Sequence, residues 1–138
     1  MALCLVGSEM CIRDRGLGAT AVVAADTDSL AVRATGDNRK LNGRPADQLK
    51  VSLGSVEALQ HLLEGRRADL LLCNILAPVI EALAPGFEAL VAPEGRALLS
   101  GLLVDQAPRL EQVLGDLGWR VSARGSQGRW GLLEIQRR

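Results

Sequence analysis

Ala68-Asp69-Leu70-Leu71-Leu72-Cys73-Asn74-Ile75-Leu76-Ala77-Pro78 is the stretch on which the fold turns. Ala68–Cys73 reads as an apolar strand that leads directly into Asn74-Ile75-Leu76. Pro78 sits where a helix begins, since the first turn has no use for the amide hydrogen that proline lacks. Ile80, Leu83, Phe87, Leu90 and Val91 continue a helical stripe. Pro85 lacks an amide hydrogen and clashes with the preceding turn, so a kink or restart is expected there.

The same alternation extends in both directions. Upstream, Ala21–Ala25 is a short apolar run ending in Asp26, consistent with a strand buried on both faces. Asp28 or Ser29 can cap a following helix that carries Leu30, Ala34 and Leu41 and stops at Asn42-Gly43. Val51 and Leu53 suggest a weaker strand, and Ser55 is placed to cap a helix bearing Val56, Leu59, Leu62 and Leu63. Downstream, Pro93-Glu94-Gly95 reads as a turn before a strand over Arg96–Ser100. A helix follows with Leu110, Val113, Leu114 and Leu117 on one face, closed by Gly118. Trp119–Ala123 and Trp130–Ile135 read as two final strands around a Gly125–Gly128 turn. The pattern is strand–helix repeated and closed by a hairpin, an α/β class with a mostly parallel sheet.

Bulk properties agree. The chain has 138 residues, enough for one domain with a real core. Hydrophobic residues make up 48% and aromatic residues 2%, so that core must be aliphatic. Sixteen basic residues balance sixteen acidic ones, which removes the general electrostatic reason to hold nucleic acid. Apolar stretches break within about ten residues, too short to cross a bilayer of roughly 30 Å. Cys4, Cys11 and Cys73 form no CxxC pair and no metal spacing with His61, so no metal is expected and a reduced cytoplasmic protein is the simplest reading.

In open α/β sheets ligands bind at the carboxyl ends of strands. Two polar positions fall there. Asp26 could accept both hydroxyls of a ribose, or it could be an ordinary turn or capping aspartate. Asn74 closes an apolar strand among apolar neighbours. A buried amide needs partners, so Asn74 either bonds the backbone as a turn residue or faces a ligand cleft. Other residues carry plainer readings: His61 as a solvated helix residue, Cys73 as a small buried hydrophobe, and Arg33, Arg39, Lys40 and Arg44 as a solvated basic face. Trp119 and Trp130 read as core-edge packing, and Arg137-Arg138 as a charged tail with no assigned task.

Ala25-Asp26-Thr27-Asp28 with Ala31-Val32, Asp37-Asn38 and Asn42-Gly43 resembles the post-strand region of the ribosomal protein L-eleven methyltransferase family (PrmA type). Cys73-Asn74-Ile75-Leu76-Ala77 is similar to that family's Asn-Ile-Leu segment. Leu99-Ser100-Gly101-Leu102-Leu103, with Gln106 close behind, is similar to its Ser-Gly-Ile-Leu motif, and Trp130 fits its pattern. The resemblance covers nearly all of residues 16–138. It implies a Rossmann-like class I methyltransferase fold with a terminal antiparallel hairpin. It also implies S-adenosyl-L-methionine as cofactor, and methyl transfer to lysine side-chain and N-terminal amino groups of a large-subunit ribosomal protein. Asp26 would bind the ribose. Asn74 would stand at the junction of cofactor and substrate as both cofactor-binding and catalytic residue. No metal, membrane or direct nucleic-acid partner is implied, and a monomer is expected.

The beginning departs from that pattern. Leu5-Val6-Gly7-Ser8-Glu9-Met10-Cys11-Ile12-Arg13-Asp14-Arg15 resembles a translated transposase adapter of the kind used to make sequencing libraries. Residues 1–15 are therefore read as non-native and residues 16–138 as a partial methyltransferase domain, from a gene truncated at its 5′ end. The alternative is a natural strand and helix, Leu3–Val6 then Glu9–Leu17. The family's Asp-x-Gly-x-Gly-x-Gly strand and loop should stand just ahead of Gly16. Ala2–Val6 could fill the strand's slot but not supply the loop, so the chain on its own is expected to bind cofactor weakly or not at all and to be inactive. Two other functions stay open on the residues: a nucleotide-cofactor-binding oxidoreductase using Asp26 on a ribose, and a non-catalytic interaction module of the same fold.

Overall fold

The computed structural model describes residues 2–4, 22–26, 33 and 49–138. Strands β1 (Ala2–Cys4), β2 (Val22–Asp26) and β3 (Leu49–Leu53) are followed by helix α1 (Val56–Leu63) and strand β4 (Ala68–Asn74). Helix α2 (Ala77–Leu83), a 3-10 turn (Ala84–Gly86) and the short helix α3 (Phe87–Leu90) lead to β5 (Val91–Leu103). A second 3-10 turn (Val104–Gln106), helix α4 (Ala107–Asp116) and strands β6 (Trp119–Gln127) and β7 (Trp130–Arg137) complete the chain. Among the described residues the strands form one sheet in the order β3-β2-β1-β4-β5-β7-β6. The pairs from β3 through β5 are parallel, and β7 is antiparallel to both β5 and β6.

Ala2–Cys4 takes the slot between β2 and β4, so both neighbours keep a ladder partner there. The helix expected after Asp28 and the basic cluster at Arg39, Lys40 and Arg44 lie outside the described residues; Arg33 is described as exposed. No helix among the described residues is long and apolar enough to cross a membrane.

In β4, Leu71, Leu72 and Cys73 are buried in succession, as a strand covered on both faces requires. Val56, Leu59 and Leu63 of α1 and Leu110 and Leu114 of α4 are buried at helical spacings. Burial pushes the Cys73 thiol up to about 12, in keeping with a small core hydrophobe. His61 is exposed on α1.

Four local expectations need correction. Ser55 stands at the N-cap of α1 but makes no side-chain cap; its hydroxyl bonds Glu57 Oε2 at 3.3 Å, a competing acceptor within the first turn. Val91 leaves the helical stripe: its backbone is extended (φ −104°, ψ 132°) and it pairs with Ala68. β4 then advances two residues, to Leu70, while β5 advances five, to Arg96, so the Pro93-Glu94-Gly95 turn survives as an irregularity within β5. The final turn is tighter than Gly125–Gly128, because Gln127 pairs with Trp130 and leaves Gly128-Arg129 as a two-residue loop. Pro85 behaves as expected: α2 gives way to the 3-10 turn and the helix restarts at Phe87.

Arg137 is the fourth correction, since it is no idle tail. Its guanidinium donates to the Glu88 carbonyl and to the Val91 carbonyl at 2.7 Å, and lies 5.5 Å from the Trp119 ring centroid. It thus closes the carbonyl end of α3, where a cation also suits the helix dipole. Arg137→Ala is expected to lower stability by about 1.5–3 kcal/mol, the range for hydrogen bonds to a charged group. Arg137→Lys should recover only part of that in a urea melt, because one ammonium cannot reproduce the fork. An unchanged midpoint for Arg137→Ala would refute the clamp.

Candidate active site at the carboxyl edge of the sheet

β4 and β5 end side by side, with Asn74 paired to Ser100. The Ile75 amide still donates to the Ser100 carbonyl at 3.1 Å, so the chain leaves β4 while tethered to β5. Leu76 is extended (φ −63°, ψ 146°), and α2 starts at once on Ala77-Pro78. This abrupt exit holds Asn74 at the rim, exposed, rather than within a loop.

β5 bends at the same level. From Leu99 to Leu102 it advances three residues while its partner β7 advances two, from Leu133 to Gly131, so one extra residue bulges. Gly101 supplies the bulge with φ +82°, and a Cβ there would stand 2.7 Å from the Ile75 carbonyl oxygen and 2.9 Å from Asn74 Oδ1. Two further bonds pin the segment: the Leu103 amide donates to Gln106 Oε1 at 2.9 Å, and the Val104 amide to the Arg129 carbonyl at 2.8 Å. The latter draws the β6–β7 turn toward the site.

The result is a cavity of about 490 Å³. Asn74, Ile75 and Leu76 line it from the end of β4 and the turn into α2, Ser100 and Gly101 from β5, and Gln127, Trp130 and Gly131 from the hairpin. Its size falls within the roughly 300–1,000 Å³ of small-molecule pockets. Leu76 is 63% and Trp130 55% exposed, so its walls are largely apolar and open. Asn74 supplies the amide, with Oδ1 accepting from the Ser100 hydroxyl at 3.1 Å. Both readings of Asn74 are therefore partly met: it has a polar partner, on a side chain rather than the backbone, and it faces a cleft.

Asp26 ends β2. Cys4 pairs with both Ala24 and Leu72, and two residues further on in each strand are Asp26 and Asn74, which are therefore level across the sheet. They stand two strand spacings apart, roughly 10 Å. The expected ribose contact of Asp26 and the place of the glycine-rich loop lie outside the described side chains and residues.

Trp130 was expected at the core edge, and only Trp119 is buried. The signal was present: Trp130 and Leu132 alternate with Gly131, Leu133 and Ile135, and the latter three are the buried set. Gln127 and the Ser100–Asn74 bond carried no such signal, because each depends on which strands become neighbours.

The family model described as ribosomal protein L11 methyltransferase (PrmA) matches residues 9–138. The ribosomal protein L11 methyltransferase of Parasynechococcus marenigrum (strain WH8102) is 98% identical over 123 residues, covering 89% of this chain and 43% of that protein. The chain spans about two fifths of the length of the curated relatives it matches. The crystal structure of ribosomal protein L11 methylase from Lactobacillus delbrueckii subsp. bulgaricus superposes with a TM-score of 0.83 at 29% identity, covering 99% of this chain and 68% of that one. A magnesium protoporphyrin IX methyltransferase from Synechocystis PCC 6803, solved with bound SAM, shares the fold with a TM-score of 0.76 at 18% identity, over 99% of this chain and 69% of that one. The sheet is thus a Rossmann-like methyltransferase sheet with an antiparallel terminal hairpin, and the chain belongs to the ribosomal protein L11 methyltransferase (PrmA) family.

Proposed function

We propose that the chain is the catalytic part of an S-adenosyl-L-methionine-dependent protein N-methyltransferase. In this reading it methylates lysine side-chain and N-terminal amino groups of a large-subunit ribosomal protein, in the cytoplasm, as a monomer with no membrane or direct nucleic-acid partner. The observation that carries the reading is Asn74, held at the carboxyl edge beside an open apolar cavity and level with Asp26.

The residues present fit the cofactor in part. Asp26, at the end of β2, would take the ribose hydroxyls, and Asn74 would border the reacting end. When bound, S-adenosyl-L-methionine supplies a methyl group already activated by positively charged sulfur. The protein's own task is then to present a neutral amine in line. Asn74 Oδ1 has a lone pair beyond the one engaged by Ser100, and it can accept an amine N–H so that the nitrogen lone pair faces the methyl group. Apolar walls at Ile75, Leu76 and Trp130 disfavour the ammonium form, which for a lysine side chain in water loses its proton only near pH 10.4. The open cavity would let the proton that the methylated amine sheds pass to solvent.

The same reading takes residues 1–15 as non-native, so the chain as it stands should show no micromolar affinity for S-adenosylhomocysteine. Replacing residues 1–15 with the corresponding upstream sequence of the Parasynechococcus relative should bring calorimetric affinity into the micromolar range. It should also confer labelled methyl transfer to the ribosomal protein that Asn74→Ala abolishes. Binding of NAD in place of S-adenosylhomocysteine would favour an oxidoreductase, and no gain for either ligand would overturn the reading.

A further inference from the structure

We propose that Ser100 is a positioning residue whose hydroxyl locks the Asn74 amide, turning Oδ1 toward β5 and presenting its remaining lone pair to an amine in the cavity. This rests on the reading of Asn74 as the amine-binding group.

An asparagine at an open rim does not hold one orientation unaided. Its last torsion joins a tetrahedral to a trigonal carbon, and the well is broad and nearly two-fold. Turned over, the amide offers two N–H donors where the carbonyl oxygen had been, and donors cannot accept an amine hydrogen. Activity that needs an acceptor at this point therefore needs something to fix the amide. The neighbouring strand supplies it. Ser100 is the register partner of Asn74, and its Oγ–H donates to Oδ1 at 3.1 Å. Its own carbonyl accepts the amide of Ile75 at 3.1 Å, so one residue holds both the Asn74 side chain and the backbone just past it. Gly101 completes the fit: the space a Cβ would occupy lies 2.9 Å from Oδ1, so the carbonyl rests against bare backbone. The bulge at Gly101 sets where Ser100 stands, which links the bend in β5 to the orientation of a side chain on β4.

A single neutral hydrogen bond biases such an equilibrium by roughly three- to tenfold. Global stability would report it only mixed with every other effect of the substitution, whereas the amide itself reports it directly. The test is 15N relaxation of the Asn74 side-chain NH2 group in the full 138-residue chain, with the resonance assigned by its loss in Asn74→Asp. An order parameter of roughly 0.8 is expected in the native chain, falling below roughly 0.6 in Ser100→Ala and recovering in Ser100→Thr. A native value already below roughly 0.6, or no fall in a folded Ser100→Ala, would overturn the proposal. Should Ser100→Ala fail to fold, Ser100→Cys keeps the size and weakens the donor, and must lower the value instead. Titration with n-butylamine separates the two claims. An ordered, Ser100-dependent amide whose resonances ignore the amine leaves the lock standing and removes the amine-binding reading.

Discussion

Phe87→Ala is expected to remove about 3–5 kcal/mol of stability, among the largest losses for a truncation at the described residues. Phe87 is fully buried and is the only phenylalanine in the sequence. It opens α3 directly after the Pro85 turn, so its ring is what seats the restarted helix among aliphatic side chains. The buried cluster that holds it is built mostly from Leu, Ile, Val and Ala, whose close packing cannot collapse far into the hole. A domain of this length has a total stability of roughly 7–20 kcal/mol, of which the loss is a large share. Urea unfolding should show a lower midpoint with an unchanged slope. Trp130→Ala serves as the contrast. Trp130 is 55% exposed, so its removal should leave the midpoint nearly where it was while altering the cavity. A Phe87→Ala loss under about 1 kcal/mol would mean that the core is not built around this ring.

Gly101→Ala is expected to cost about 2–4 kcal/mol, from two sources that Gly118→Ala separates. Both glycines have positive φ, +82° and +91°. A Cβ at Gly118 meets nothing within 4 Å, so that variant carries only the backbone term, about 1–2 kcal/mol. At Gly101 the Cβ would meet the Ile75 oxygen at 2.7 Å and the Ile75 nitrogen at 2.9 Å, backbone atoms that cannot swing aside. Thermal melts should place Gly101→Ala well below Gly118→Ala. Equal midpoints would show that β5 and the β4–α2 junction are not in the close contact described. Because Asn74 Oδ1 lies against the same space, Gly101→Ala should also displace the amide.

Most of the strand–helix order was legible in the sequence, and the reason is local. Apolar runs such as Val22–Ala25 and Leu70–Cys73, bounded by polar or turn residues, have one low-energy reading as strands of a buried parallel sheet. Helical stripes such as Val56, Leu59 and Leu63 likewise have one. The misreadings share a cause. Val91 keeps helical phase with Phe87, and only its pairing with Ala68 makes it a strand residue. Ser55 has the right chemistry for a cap, but Glu57 offers its hydroxyl another acceptor. Arg137 looks like a solvated tail until the fold brings the carbonyls of Glu88 and Val91, far back in the chain, beneath it.

The candidate site divides along the same line. Asn74 was legible as a polar residue closing an apolar strand, and Asp26 as a carboxylate closing another, because strand ends are marked by composition. By itself the sequence determined the α/β alternation, the aliphatic core and these two strand-end positions, all of which follow from short-range periodicity. Only the tertiary structure decided that Ser100 would bond Asn74, that Gly101 would have to be bare, and that Gln127 would join Trp130 in lining the cavity. Those facts depend on strand order and register, which long-range packing sets and which no local pattern encodes.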